Sequence, residues 1–365
     1  MNAISFFTGA GGLDLGIQSA GFDIKLALEI EPIYCETLVM NNHHNVRQGN
    51  IMDYNGERVR EEAGLLPGEE IDLVVGGSPC QSFSTAGKRQ AFTDPRGQAM
   101  LHYADLVNEL QPKFFLLENV KGFLSAALRH RPINQRGQDF PPLEPDEMPG
   151  SALQYLLNRI GNYNVTTNIV NAANYGVPQK RERVFIIGVR NDLNINYAFP
   201  MQTHNENGTD GLLRWRTFRQ VFENLNNDNH TYVNYSAERL HYMRMIPRGG
   251  GNWRDLPTEI VRQAMGGAYN SGGGKVGFYR RIQLNSPAPT LLTSPAQKST
   301  NLGHPLEDRP LSIEEYLAIQ EFPEGYQVCG TLSQKYTQIG NAVPVRLATV
   351  IGQSIANSIR VLQTV

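Results

Sequence analysis

Cysteine is scarce in this chain, and its three cysteines are widely separated. Cys35, Cys80 and Cys329 form no CxxC pair and show no Cys/His spacing typical of a zinc site. The pattern argues against a metal centre and against a disulfide framework, and it favours a reducing compartment. We therefore expect a protein that needs no metal.

Long apolar runs are also missing. No stretch of about 18 apolar residues occurs, as a membrane-spanning helix would require. The first residues, MNAISFFTGAGG, have neither the basic region nor the apolar core of a signal peptide. We expect a cytoplasmic protein that has no membrane partner.

A large net charge is lacking too, but the charge is unevenly distributed. The formal net charge is -2, whereas residues 177–281 hold 15 Lys and Arg against 9 Asp and Glu, which leaves 18 against 26 elsewhere. A basic block on an acidic body is expected when one face meets phosphates. A solvated surface gives the same pattern, so charge alone supports both interpretations equally.

The first 190 residues alternate short apolar runs with helical patterns. This alternation predicts an α/β fold, with a mostly parallel sheet covered by helices on both faces. The predicted strands are 3–7, 25–30, 71–75, 114–117, 165–170 and 184–189, and the predicted helices are 12–20, 32–41 and 100–110.

The rest of the chain is less regular. Residues 129–150 are rich in proline and read as an exposed insertion loop. Residues 191–300 are rich in Asn and Gly, which predicts a smaller, irregular second domain. We interpret 301–332 as a connecting segment, with a helix at 313–320, and expect 333–365, with a helix at 345–359, to complete the first domain.

A glycine-rich turn follows the first predicted strand. Gly9, Gly11 and Gly12 would let a ligand approach the backbone and the helix N-terminus closely. The third glycine of a dinucleotide fingerprint is missing, while Glu29 ends the second strand, where a carboxylate can accept from ribose hydroxyls. The pattern favours an adenosine-type cofactor without a pyrophosphate. A tight turn beside a solvent-facing Glu29 is the simpler alternative.

Cys80 lies in the stretch GGSPCQSFS, just after the predicted strand 71–75. The carboxyl end of such a strand is the edge where ligands bind in open α/β sheets. A free cysteine is more often a small core residue, but glycine, serine and proline make this stretch a loop. Because a thiol with a pKa of about 8.5 is mostly protonated near neutrality, a nucleophile here needs a nearby cation or helix N-terminus.

Two further segments place polar side chains beside apolar strands. FFLLENV puts Glu118 and Asn119 at a strand end, where burial would raise the pKa of the carboxyl group. VPQKRERVFIIG places Arg181 and Arg183 on one face, just before another strand. A helix-capping carboxylate and a surface basic cluster are the structural alternatives.

Taken in order, these segments resemble the DNA (cytosine-5)-methyltransferase family of bacteria and phages. The resemblance spans nearly the whole chain, apart from about residues 191–280, where the family keeps its variable target-recognition region. The motifs that carry it are FTGAGG (7–12), PCQ (79–81), ENV (118–120), QKRER (179–183), RPLSIEEYLAIQEFPEGY (309–326) and QIGNAVPV (338–345).

The resemblance implies a Rossmann-like class I methyltransferase domain that binds S-adenosyl-L-methionine. The family often has an aspartate near the adenine, where this chain has Asn50. Glu29 would bind the ribose, and Pro79 would contact the cofactor and fix the loop that carries Cys80. The implied cofactor residues are Phe7, Gly9, Gly11, Gly12, Leu13, Glu29, Asn50, Ile51, Pro79 and Asn341.

The resemblance also implies methyl transfer to carbon 5 of a cytosine flipped out of double-stranded DNA, with S-adenosyl-L-homocysteine as the product. Cys80 would add to carbon 6 of the base, and protonated Glu118 would donate to ring N3. Asn119 would lie near the exocyclic amine, and Arg183 would hold the base O2 with Arg181 beside it.

The implied DNA-binding residues form two groups. The first belongs to a mobile loop opened by Gln81, which would close over DNA, and the second belongs to the basic block of the second domain. The residues are Gln81, Ser84, Lys88, Arg89, Arg96, Arg214, Arg216, Arg244, Arg248, Arg254, Lys275 and Arg280. We expect a monomer that acts in the cytoplasm at the nucleoid, as a restriction–modification enzyme would.

Three alternatives to DNA methylation remain at this point. A transfer-RNA cytosine methyltransferase would keep the fold and the mechanism, although the long unmatched region favours DNA. A catalytically inactive DNA-binding homologue is disfavoured because Cys80, Glu118 and Arg183 are all present. A nucleotide-dependent oxidoreductase is disfavoured by the missing third glycine.

Overall fold

A computed structural model describes residues 1–78, 91–223, 225 and 229–362. The chain divides into two compact units. The first comprises Met1–Val170, Glu182–Met201 and Ala348–Val365, and the second comprises Asn171–Arg181 and Gln202–Leu347. The chain therefore passes from the second unit to the first between Arg181 and Glu182.

The described residues form short strands and helices in an order that alternates through the first unit. The strands are β1 Asn2–Phe6, β2 Asp23–Glu29, β3 Val46–Gln48, β4 Leu73–Gly77, β5 Phe114–Val120, β6 Tyr163–Asn171, β7 Gln179–Lys180, β8 Glu182–Arg190, β9 His204–Asn205, β10 Leu213–Arg214 and β11 Ala288–Pro289. The helices are α1 Gly12–Ser19, α2 Pro32–Met40, α3 Gly56–Glu62, α4 Pro95–Leu110, α5 Ser151–Arg159, α6 Phe218–Phe222, α7 Ala237–Met243, α8 Thr258–Met265, α9 Ile313–Ile319, α10 Leu332–Asn341 and α11 Val345–Leu362.

Seven strands of the first unit form one sheet in the order β3-β2-β1-β4-β5-β8-β6. Strands β3, β2, β1, β4 and β5 pair in parallel, and β8 pairs antiparallel with β5. The apolar residues of β1, β4 and β5 are almost fully buried, as expected for strands covered on both faces. The predicted mostly parallel α/β sheet is confirmed.

The polar ends of the central strands meet at one edge of this sheet. Gly77 is paired with Glu118 in the β4–β5 register, and Val120 is paired with Arg183 in the antiparallel β5–β8 register. Glu118 and Arg183 are therefore diagonal neighbours on adjacent strands. This register brings together two residues that are 65 positions apart in the sequence.

The last helix returns to the first helix of the same unit. Gly16 of α1 lies so close to α11 that an added Cβ would be 2.3 Å from the Ala348 Cβ. Only a glycine allows this approach of the two helices. The closing helix thereby supports the element that carries the glycine-rich turn.

Several elements differ from the sequence-based expectations. Strand β3 and helices α3, α5 and α10 were not predicted, and α4 begins at Pro95 rather than at residue 100. Asp94 explains the early start of α4, because its side chain caps the helix by accepting from the Arg96 N–H at 2.9 Å. Polar first turns of this kind carry little hydrophobic periodicity.

The second unit is irregular, with short strands and helices, and its core is aromatic. Its buried residues include Tyr235, Tyr242, Met243, Phe278 and Tyr279. Arg281 is fully buried in this unit. Its guanidinium donates to four backbone carbonyls and pairs with the Asp308 carboxylate. A buried arginine thus organises loops that have few regular hydrogen bonds of their own.

The insertion 129–150 is mostly exposed and contains only short turns, as predicted. Its two ends are held together by ion pairs. Arg129 binds Asp146 through two hydrogen bonds of 2.8 and 3.1 Å, and Arg131 binds the buried Glu147. In the part of the chain that the structure describes, no helix is long and apolar enough to cross a membrane.

Candidate cofactor and catalytic site

The glycine-rich turn between β1 and α1 has an unusual backbone. Phe7, Gly9 and Gly11 all have positive φ angles, of 57°, 59° and 78°. Gly11 also has no room for a side chain, because an added Cβ would lie 2.9 Å from atoms of His43 and Leu38. The turn therefore exposes backbone at the N-terminus of α1, where a ligand can approach closely.

Glu29 closes this turn from the end of β2. Its carboxylate accepts hydrogen bonds from the backbone N–H groups of Gly9, Ile30 and Glu31, at 2.7, 2.8 and 3.0 Å. Burial raises the pKa of Glu29, while these three donors partly offset the rise. Glu29 is thus a buried carboxylate, and the predicted solvent-facing alternative is wrong.

Asp14 lies in the first turn of α1 and is fully buried. Its Oδ1 accepts a hydrogen bond of 2.6 Å from the Ser5 hydroxyl. Desolvation raises the pKa of Asp14 to about 7, and the nearby charge of Glu29 adds to the rise. We had not singled out Asp14, because a single carboxylate in a helical pattern gives no sequence signal of burial.

A cavity of about 430 Å³ opens beside the turn, within the first unit. Its wall is mainly apolar, with a few polar groups, as in sites that hold an aromatic ligand. The lining residues are Phe7, Leu28, Ile30, Gly49, Asn50, Ile51, Met52, Thr93, Pro95, Arg96, Gln98 and Ala99. It includes the predicted residues Phe7, Asn50 and Ile51, and also Arg96, which we had assigned to DNA binding.

The residues present fit an adenosine-type cofactor. The glycines of the turn leave its backbone open to a ligand, where larger residues would place side chains. Glu29 supplies a hydrogen-bond acceptor, and the cavity supplies an apolar slot. Sequence reasoning missed Leu28, Ile30 and Met52, although two of them flank Glu29. The position of Leu28 and Ile30 next to Glu29, the predicted ribose-binding carboxylate, was the sequence signal that could have identified these two residues.

Glu118 and Arg183 form an ion pair at the end of the central strands. The Arg183 Nε lies 3.0 Å from the Glu118 Oε1, and their side chains are only 14% and 9% exposed. An added Cβ on Gly77 would be 3.7 Å from the Glu118 Oε2 and 3.9 Å from the Phe7 carbonyl oxygen. The pair therefore lies next to the glycine-rich turn.

Asn119 is buried and faces the end of β4. Its Nδ2 donates to the Ser78 hydroxyl at 2.9 Å, and its Oδ1 accepts from the Val120 N–H at 2.8 Å. The first of these hydrogen bonds ties Asn119 to Ser78, the residue that directly precedes Pro79 and Cys80 in the sequence. Pro79, Cys80, Gln81, Ser84, Lys88 and Arg89 lie outside the described residues.

Arg181 is placed differently from Arg183, although we predicted both on one face beside the base. Arg181 is fully buried in the second unit. Its guanidinium donates to the carbonyl oxygens of Leu291, Gly340 and Asn341, at 3.2, 3.0 and 3.2 Å. These contacts make Arg181 a support for the QIGNAVPV segment, which also contains the predicted cofactor residue Asn341.

The predicted DNA-binding residues of the second unit fall into two groups. Some are engaged inside the unit: Arg216 pairs with Glu321, Arg280 donates to the Asn301 carbonyl oxygen, and Arg244 and Arg248 lie 3.9 and 3.4 Å from Asp308. Burial lowers the pKa of Arg280. The contacts of Arg216 and Arg280 indicate a structural role that sequence could not show, whereas the Arg244 and Arg248 side chains remain mostly exposed.

The other group is available to a ligand. Arg214 and Arg254 are exposed, and Arg254 lies over the Trp253 ring at 4.9 Å. Lys275 lies 5.5 Å from the same ring, and Arg262, which we had not singled out, lies 5.3 Å from the Tyr269 ring. Trp253, Tyr269, Arg254, Arg262 and Lys275 are called the aromatic–basic cluster below.

The fold is that of solved methyltransferase structures. A solved structure described as a DNA modification methyltransferase encoded within an E. coli prophage superposes with a TM-score of 0.67 at 24% identity, covering 99% of both chains. The structure of the Entamoeba histolytica methyltransferase EhMeth superposes with a TM-score of 0.60 at 15% identity, covering 98% of both chains. At these identities the likeness establishes the fold alone.

Sequence comparison establishes the family. The model of the C-5 cytosine-specific DNA methylase family matches residues 1–357. The type II methyltransferase M.Sau96I of Staphylococcus aureus is 37% identical over 98% of this chain and 76% of its own length. The type II methyltransferase M.Eco47II of Escherichia coli is 36% identical over 97% and 78%.

The chain belongs to the C-5 cytosine-specific DNA methylase family. It is a DNA (cytosine-5)-methyltransferase, and the family uses S-adenosylmethionine as the methyl donor. This confirms the predicted family and enzyme class, and it decides against an oxidoreductase.

Proposed function

We propose that this enzyme methylates carbon 5 of a cytosine flipped out of a specific double-stranded DNA sequence, through a covalent adduct with Cys80. The observation that carries the proposal is the Glu118–Arg183 ion pair beside the glycine-rich turn. An acid and a guanidinium next to a cofactor cradle are the groups that this chemistry needs around a pyrimidine.

The cofactor residues proposed are those of the turn, β2 and the cavity. Glu29 would accept from the ribose, Phe7 and Ile51 would contact the adenine, and the backbone at Gly9 and Gly11 would approach the amino-acid part. When bound, S-adenosylmethionine supplies an electrophilic methyl group and leaves as S-adenosylhomocysteine.

The chain's own residues would do the rest of the chemistry. The Cys80 thiolate adds to carbon 6, while Glu118, which takes up a proton when the base replaces its ion pair with Arg183, donates that proton to N3, so that carbon 5 becomes nucleophilic. After methylation, carbon 5 gives up its proton to a water molecule, the carbon–sulfur bond breaks to restore the thiolate, and N3 returns its proton to Glu118. Arg183 would bind the base O2, so that arrival of the base exchanges the ion pair for base contacts.

Asn119 and Arg181 act as positioning residues in this proposal. Asn119 holds Ser78, which directly precedes the Pro79–Cys80 segment. Arg181 holds the carbonyl oxygens of Gly340 and Asn341. Both side chains use their donors inside the protein, which supports a positioning role rather than direct contact with the base.

The second unit, mainly residues 202–347, is proposed to bind and recognise the DNA. Base flipping costs a few kcal/mol, which contacts to the surrounding duplex must offset. The aromatic–basic cluster supports this assignment, because arginine and lysine side chains held over aromatic rings suit phosphates and sugars. The type II methyltransferase relatives support a role in restriction–modification. We propose a cytoplasmic monomer.

The proposal is tested by a methyl-transfer assay with the Cys80→Ala variant. Methylation of duplex DNA is expected to fall below detection, while binding of S-adenosylhomocysteine persists. Cys329→Ala is the matched control and is expected to keep activity, since Cys329 is half-buried in the second unit. Full activity of Cys80→Ala would contradict the covalent mechanism.

Two further experiments distinguish DNA methylation from the RNA-modifying and inactive alternatives. DNA that carries 5-fluorocytosine is expected to form a stable covalent complex with the wild type, because the fluorine at carbon 5 cannot leave as a proton does. Transfer RNA is expected to remain unmethylated. Methylation of transfer RNA alone would favour the RNA-modifying alternative, and no reaction with either polymer would favour an inactive homologue.

A further inference from the structure

A buried polar network lies beneath the glycine-rich turn. The Ser5 hydroxyl on β1 donates to the Asp14 Oδ1 at 2.6 Å, and its oxygen lies 3.3 Å from the Thr8 hydroxyl oxygen. All three side chains are buried, and Asp14 is fully so. The network therefore joins β1, the turn and α1 directly behind the backbone that the turn leaves open to a ligand.

This network satisfies only half of the Asp14 carboxyl group. Among the described residues, the Asp14 Oδ2 has no hydrogen-bond partner, although it is shielded from solvent. A buried and unpaired charge costs folding free energy, and Ser5 does not require one, because an amide oxygen would accept the same hydrogen bond. A costly ionisable group beside a ligand site indicates a role in binding.

The groups around Asp14 leave its charge uncompensated. Glu29, at the end of β2, adds a second negative charge, which raises the pKa of Asp14 further. His43 packs against Gly11, but burial lowers the pKa of His43 to about 4, so this side chain is neutral near pH 7. Arg360, the charged residue of α11 in this unit, lies at the other end of α1. Among these groups, no cation offsets the negative charge beneath the turn.

On the proposed function, the amino-acid part of the cofactor lies on this turn. S-adenosylmethionine and S-adenosylhomocysteine differ in that part by one methyl group and one positive charge, both on the sulfur. We propose that ionised Asp14 selects the methyl donor over the product by attracting the sulfonium charge through the turn. The attraction needs no contact, because charges at buried sites are only weakly screened. Asp14 is thus a specificity-determining residue that limits inhibition by the product.

The test measures dissociation constants of both ligands by titration calorimetry at pH 8, without DNA, so that no methyl group is transferred. Asp14→Asn keeps the acceptor for Ser5 and removes the charge. We expect this variant to lose affinity for S-adenosylmethionine but not for S-adenosylhomocysteine, so that the ratio of the two constants shifts by about threefold or more.

Asp23→Asn is the matched control. It makes the same change in the same unit, but Asp23 is exposed and pairs with Lys25 on the surface. The ratio of the two dissociation constants should stay at the wild-type value in this variant.

Proton release gives a readout that a purely structural role of Asp14 would not change. A bound cation stabilises the ionised form and lowers the pKa of Asp14, so binding at pH 7 should release part of a proton. Calorimetry in two buffers of different ionisation enthalpy measures this release. The release should be larger for S-adenosylmethionine than for S-adenosylhomocysteine in wild type, and this excess should shrink in Asp14→Asn.

Two results would overturn the inference. One is an unchanged ratio in Asp14→Asn, and the other is an equal loss of affinity for both ligands, because neither result depends on the charge at sulfur. Either would leave the cofactor proposal intact, since wild type still binds the ligands. A folded wild type that binds neither ligand would instead contradict the cofactor proposal, and with it this inference.

Discussion

At the residue scale, two carboxylates behind the glycine-rich turn have different environments. Glu29 accepts three backbone N–H groups, whereas Asp14 accepts one hydroxyl group and is fully buried. The same charge is therefore better stabilised on Glu29 than on Asp14. Asp14 holds its proton up to a pH of about 7, so the turn rests on a neutral carboxyl group in mildly acidic solution.

This difference predicts how stability depends on pH. Because the pKa of Asp14 is raised in the folded state to about 7, the folded state binds a proton that the unfolded state loses at a pH of about 4. Stability contributed by the neutral Asp14 is therefore lost as the pH rises from about 4 to about 7. Asp14→Asn, which keeps the acceptor for Ser5, is expected to gain about 2–4 kcal/mol relative to wild type across this window.

The measurement is urea unfolding of both proteins at pH 5 and pH 8. The stability of the variant relative to wild type should be higher at pH 8 than at pH 5. Asp23→Asn is a suitable control, since Asp23 is exposed and pairs with Lys25 on the surface. Equal pH dependence in Asp14→Asn and wild type would show that Asp14 is ionised throughout.

At the element scale, the antiparallel pair β5–β8 carries the Glu118–Arg183 ion pair. Phe115 is paired with Gly188, and its ring lies over the glycine and packs at 5.2 Å against Tyr163. An added Cβ on Gly188 would be 2.0 Å from the Phe115 ring. Ring packing on this glycine keeps β5 and β8 in the register that places Glu118 near Arg183.

We predict that Gly188→Ala destabilises the first unit. The added methyl group overpacks a fully buried ring, at a cost of about 1–3 kcal/mol, and the melting temperature should fall by about 3–10 °C. Gly161→Ala is the matched control. The nearest atom to an added Cβ on Gly161 would be the Asn108 Oδ1 at 4.0 Å, so calorimetry should show little change. A Gly188→Ala variant as stable as Gly161→Ala would mean that the ring moves aside freely.

At the scale of the whole molecule, the small net charge does not show how the charged side chains of the second unit are arranged. Most arginines of the second unit are neutralised by carboxylates or bind backbone carbonyls. The aromatic–basic cluster is different, because aromatic rings and backbone rather than carboxylates hold its cations. On the proposed function, this local arrangement, and not the total charge, is what suits the second unit to DNA.

This view predicts the salt dependence of DNA binding. Log K for DNA binding falls as log salt rises. Arg254→Gln should reduce the magnitude of this slope by about 0.9, the value for one lost phosphate contact. Arg219→Gln removes the same charge from the same unit, but Arg219 is held by Asn285 and Glu223. The slope for the Arg219→Gln variant should stay at the wild-type value in fluorescence anisotropy titrations. Equal slopes in wild type and Arg254→Gln would exclude Arg254 from the phosphate contacts.

The sequence by itself determined the order of most strands and helices in the first unit, because apolar runs and helical periodicity are local properties, but β3, α3 and α5 were not predicted. It also determined the family, because the motifs keep their order along nearly the whole chain. Phe7, Asn50 and Ile51, which were predicted as cofactor residues, line one cavity.

Only the tertiary structure decided which polar side chains bind backbone groups inside the protein and which lie at the candidate site. Arg181 and Arg183 are two residues apart, yet one binds buried carbonyl oxygens and the other pairs with Glu118. The burial of Asp14 was equally invisible in the sequence. Burial and hydrogen bonding depend on segments far apart in the chain, so no local pattern encodes them.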